Sequence, residues 1–160
     1  MRRIAFYLLY LSLFRVRSGA QERPHPVSAS GETTIKENLS GQKAVVYLRT
    51  WAVPVQLTDK GVSFPQCTDS RIPCSLTEKL IVSLNGIPIF MPRSAYADLG
   101  DVSTIEMIRR KSSIELLVRG GDASEAYTAK LICKDGKLVA RKLYSAEDGT
   151  RPLQISHYFK

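Results

Sequence analysis

The chain has 160 residues, one domain's worth, and its 44% hydrophobic and 24% charged residues exclude a disordered or fibrous protein. Its formal net charge is +8, but four of the 23 basic residues (Arg2, Arg3, Arg15, Arg17) and none of the 15 acidic ones fall in the first twenty positions. Without that segment 19 basic residues face 15 acidic ones, a net charge of +4, which is ordinary for a globular domain and argues against a nucleic-acid partner.

Arg2 and Arg3 precede a largely apolar run from Ile4 to Phe14, and Ser18 and Ala20 supply small residues ahead of a cut. Residues 1–20 therefore read as a secretory signal peptide. The run is well short of the ~20 residues that span a bilayer, so no transmembrane anchor is expected. Cleavage near Ala20 would leave a periplasmic or secreted protein. Arg15 and Arg17, beside the cut, are irregular for a leader and fit the rival reading, an uncleaved amphipathic helix lying on a membrane surface.

Residues 21–41 are polar and read as a flexible tether. Within them, Asn38-Leu39-Ser40 matches a glycosylation sequon. From position 42 onward a single β-rich domain is expected. Ala44 to Trp51 is rich in β-branched and aromatic residues, Val53 to Leu57 would extend it past Pro54, and Asp59-Lys60-Gly61 is a turn. Lys79 to Leu84 and Ile87 to Met91 flank Asn85-Gly86, a dipeptide that demands a type I′ hairpin. That turn opposes Leu84 to Ile87 and Ser83 to Pro88. Since Pro88 cannot donate a hydrogen bond outward, its strand must be an edge there.

Pro92 to Gly100 suggests a short helix near 93–99, entered after a proline and closed by a glycine. Val102 to Arg109, Ser113 to Arg119 and Glu125 to Cys133 read as strands. A second hairpin at Asp135-Gly136 leads into Leu138 to Ser145, and Leu153 to Phe159 makes the last strand. An unbroken register at that hairpin opposes Cys133 to Leu138, Leu131 to Ala140 and Lys130 to Arg141. It places Tyr127, Ala129, Leu131, Cys133, Leu138, Ala140 and Tyr144 on one face, interrupted by Lys142, with Arg141 and Leu143 on the other. The expected fold is mainly β, a β-rich α+β chain whose antiparallel meander forms a curled sheet, sandwich or small barrel.

Cys67 and Cys74 bracket a short loop and are the natural disulfide pair in an oxidising compartment. Two thiols with no neighbouring ligands are too few for structural zinc, so no metal is expected. Cys133 reads as a buried small hydrophobe, and its cross-pairing with Cys67 or Cys74 is the alternative connectivity, between which the sequence does not choose. A Cys133–His157 dyad is the formal alternative, because His25 lies in the tether. Phosphate-binding glycine loops, Gly-x-Ser-x-Gly elbows and His-Glu-x-x-His motifs are absent from the sequence, and the carboxylates are scattered, many in turns. Nothing calls for a cofactor, and an enzyme is not the leading expectation.

Two features carry the binding expectations. Arg109, Arg110, Lys111, Arg119, Lys130 and Arg141 would form a cationic patch, unless Glu106 or Glu115 neutralises it. Arg93 and Tyr96 lie on a short ordered connection of the kind that recognises partners, although Tyr96 and Leu99 would equally plug the end of a sheet. The expected function is a small exported binding protein, an inhibitor or immunity-type protein acting on another envelope protein or a binder of an anionic envelope component. A small hydrolase built from dispersed residues and a structural envelope component are the alternatives.

Overall fold

The computed structural model describes residues 23–54 and 74–158. The proposed leader, the 59–61 turn and Cys67 lie outside them, as does the end of the extension past Pro54. Among the described residues, ten strands form two antiparallel sheets packed together. The strands are β1 (His25–Pro26), β2 (Gly31–Leu39), β3 (Gln42–Ala52), β4 (Ser75–Leu84), β5 (Ile87–Ile89), β6 (Val102–Arg109), β7 (Ile114–Gly120), β8 (Tyr127–Lys134), β9 (Lys137–Ser145) and β10 (Pro152–His157). One sheet is ordered β2-β3-β4-β5 and the other β1-β6-β7-β8-β9-β10. Apart from β1, each is a meander of sequence neighbours. One hydrophobic core between them takes Val46, Leu48 and Val82 from the first sheet and Ile105, Leu116 and Leu131 from the second.

The Asn85-Gly86 hairpin has the expected register, Leu84 opposite Ile87 and Ser83 opposite Pro88, with both turn residues at positive φ (49° and 81°). The proline strand β5 is the edge of its sheet. It pairs for only three residues, after which the Phe90 N–H donates to the Gly136 carbonyl and the Phe90 carbonyl accepts from Leu138 N–H. The far end of β4 is flanked instead by residues 99–101. There Thr77 N–H donates to the Leu99 carbonyl and Asp101 N–H to the Ser75 carbonyl.

Three expectations need correction. Residues 21–41 do not form a tether along their length, because Gly31–Leu39 is a full strand paired with β3 through a Ser40-Gly41 turn. Ile35 and Leu39 are buried, and two apolar side chains suffice because an eleven-residue neighbour strand saturates the backbone. His25, assigned to the same tether, sits in β1 with its Nε2 against the Glu37 carboxylate.

The helix near 93–99 is realised only as one 3-10 turn, Arg93–Ala95. Tyr96 leaves helical geometry (φ −142°) and turns inward with Ala95 and Leu99. So short a helix has too few hydrogen bonds to outweigh that burial.

The second hairpin holds Cys133 opposite Leu138, but a β-bulge between Ile132 and Cys133 shifts everything beyond it by one residue. Leu131 therefore faces Arg141, Ile132 faces Ala140, and Lys130 faces Lys142. The shift brings Arg141 and Leu143 to the core side and sends Lys142 and Tyr144 outward. That explains the lysine that interrupted the apolar face: it does not lie on that face at all.

Candidate functional site

The alternation of β3 determines what its end presents. Ala44, Val46, Leu48 and Thr50 are buried, so Arg49 and Trp51 point away from the core. Trp51, the chain's single tryptophan, is 42% exposed and lies opposite Leu76 of β4. Arg49 pairs with Lys79 and Thr50 with Thr77, leaving Glu78 as the extra residue of a bulge. Glu78 and Lys79 are consequently both exposed, and the Glu78 carboxylate reaches Arg49 Nε at 3.1 Å. Arg49, Trp51, Leu76, Thr77 and Glu78 floor a cleft of about 470 Å³, walled on the other side by Arg93 and Ala97.

That wall is held from several directions. Thr77 Oγ1 donates to the Leu99 carbonyl at 2.8 Å, and Tyr127 Oη donates to the Gly100 carbonyl at 2.7 Å. Burial raises the Tyr127 phenol far above its ordinary pKa, so it remains a donor at any physiological pH. Asp101, at φ 46°, accepts from Ser75 N–H. Arg141 Nη2, from the other sheet, donates to Asp98 Oδ2 at 2.7 Å with the guanidinium buried. The segment 93–101 is thus stapled to both sheets, and the cleft is preformed.

The structure separates most of the anticipated cationic patch. Arg119 is neutralised by Glu106 at 2.8 Å, and Arg110 by Glu115 at 3.3 Å. Lys130 reaches Glu115 at 3.8 Å and lies 5.9 Å from the Tyr144 ring centroid. Arg141 is internal. Arg109 borders a recess of about 50 Å³ with Cys133 and Ile114, and Lys111 is exposed in the β6–β7 turn. Tyr96 is buried in the core, whereas Arg93 stands on the cleft with no ion pair among the described residues. Of the anticipated residues only Arg93 joins the site. Trp51, Arg49, Leu76 and Glu78 were missed, although an indole in the outward phase of an alternating strand is a legible signal.

Nucleophilic chemistry gains no support from Cys133. It is a free, buried cysteine, and burial pushes its thiol up to about 12. His157 pairs with Ala140, which pairs with Ile132, so the imidazole lies on the face opposite Cys133. The native protein should react with a thiol reagent at pH 8 at least ~100-fold slower at Cys133 than the unfolded chain does. Mass-resolved labelling with and without denaturant checks this, and equal rates would place the thiol at the surface. The raised pKa also has a stability consequence. Because the thiol ionises more readily when unfolded, this group's contribution is intact below pH ~8.5 and falls as pH rises toward 12.

Among the described residues no group of three or more His, Cys, Asp or Glu side chains is placed to hold a metal, and no helix is long and apolar enough to cross a membrane. Compared with protein-family models, curated proteins and solved structures, the chain matches none.

Proposed function

We propose that this is a small exported, non-catalytic binding protein whose recognition surface is the Trp51 cleft. The observation that carries this reading is a preformed cleft combining an exposed indole, two arginines and one carboxylate, a net positive site with an apolar platform. Its volume falls within the ~300–1,000 Å³ of small-ligand sites. An anionic envelope component is the matching ligand class. Secretion rests on the leader pattern of residues 1–20. A Cys67–Cys74 disulfide fits that compartment: Cys133 is free and buried, so of the three cysteines only Cys67 remains to pair with Cys74.

A second reading is an inhibitor or immunity-type protein acting on another envelope protein. It is favoured by β10, an edge strand exposing Leu153 and Ile155 with no charged residue between Pro152 and His157.

The test is retention of the purified protein, lacking residues 1–20, on isolated envelope material of the source cells. The wild type should be retained in a salt-dependent manner, and Trp51→Ala, a surface change, should weaken retention about tenfold or more. Absence of retention, or retention indifferent to Trp51→Ala, defeats the cleft as the binding surface.

A further inference from the structure

Resting on the cleft reading above, the geometry points to a narrower ligand: we infer that the Trp51 cleft binds a carboxylated sugar unit of an acidic glycan. Each group in the cleft has a distinct task in that complex. The exposed indole offers a flat apolar face, which packs against the C–H face of a pyranose ring. Arg93 carries a charge with no partner among the described residues, and its planar fork matches a carboxylate.

The Arg49–Glu78 pair discriminates among anionic ligands. Both side chains are about half exposed while paired at 3.1 Å, so one edge of the cleft presents a donor fork and an acceptor side by side. A sugar hydroxyl both donates and accepts, and two adjacent hydroxyls use both halves of such a pair. An aromatic acid would satisfy Arg93 and the indole but leave the pair unused, whereas a uronate sets its carboxylate on Arg93 and keeps its ring hydroxyls for Arg49 and Glu78. The bulge that pushes Glu78 out beside Arg49 is what gives the site this dual character.

Because Trp51 is the only tryptophan, intrinsic fluorescence reports this cleft directly. The full mature chain is titrated with trimers of galacturonate, glucuronate and mannuronate, with the corresponding monomers, with a neutral trisaccharide, and with an acidic peptide. Calorimetry on the same samples guards against non-specific quenching. At least one uronate trimer should bind saturably and at least tenfold more tightly than the neutral trisaccharide. Arg93→Gln should weaken that binding about tenfold with the melting temperature unchanged. Glu78→Gln should weaken it less, since an amide still accepts a hydrogen bond. Binding by trimer and not monomer identifies a polymer as the source, and equal binding a free acidic sugar; both support the inference.

Failure of every uronate, equal affinity for the neutral sugar, an unchanged Arg93→Gln affinity, or binding of the acidic peptide alone would overturn it. If envelope retention still depends on Trp51 while no uronate binds, the binding-protein reading stands and only the glycan assignment falls.

Discussion

Asp98→Ala is expected to destabilise the protein by about 3 kcal/mol, whereas Arg141→Met should cost about 1 kcal/mol or less. The asymmetry follows from where each partner sits. The Arg141 side chain is only 4% exposed, so deleting Asp98 leaves a guanidinium in the core without its counter-charge. Asp98 is 37% exposed, and water can take over when the arginine is removed. Arg141 Nε and Asp98 Oδ1 already lack hydrogen-bond partners among the described residues, which lowers the net value of the pair further. Chemical denaturation of the two single variants and the double variant measures this directly. The double variant should recover most of the loss caused by Asp98→Ala, and that single change should lower the melting temperature by about 10 °C. Equal costs for the two single variants would mean that the ion pair is not internal.

Gly120→Ala should cost about 2–3 kcal/mol for a reason unrelated to backbone freedom. A methyl group at Gly120 would lie 2.6 Å from Tyr127 Oη and 2.8 Å from the carbonyl oxygens of Gly100 and Asp101. Two of those neighbours are backbone, so relief requires moving the 99–101 strap that flanks β4 and backs the cleft. Tyr127→Phe removes one of the three clashes and leaves the other two, so in that background Gly120→Ala should be milder by a measurable fraction. Additive effects in that double-variant cycle would argue against the close approach. The Gly120→Ala variant should also alter the emission of Trp51, since the moved strap carries the opposite wall of the cleft.

Local chemistry made much of the architecture legible. Asn85-Gly86 set its hairpin register to the residue, and Pro88 announced an edge strand, because both effects act within a few residues. The polar segment of β2 was not legible: a strand with Ile35 and Leu39 as its only buried large apolar side chains resembles a tether until β3 is placed beside it. The bulge at Ile132–Cys133 was equally hidden. An unbroken register assigned Arg141 to solvent, and only the counter-charge waiting on Asp98 makes its burial tolerable.

The candidate site divides along the same line. Alternation along Ala44–Trp51 places the tryptophan outward, and nothing beyond the sequence is needed for that. Its neighbours come from elsewhere: Glu78 through a bulge in β4, and Arg93 through a connection clamped by Thr77, Tyr127 and Arg141. The sequence by itself determined a β-rich chain, its principal strands and its tight turns, since those depend on periodicity and turn stereochemistry. Tertiary structure alone decided the fate of the charges. Ion pairs between residues up to 43 positions apart took Arg110, Arg119, Lys130 and Arg141 out of the basic patch, because Coulombic pairing depends on distance in space and not along the chain.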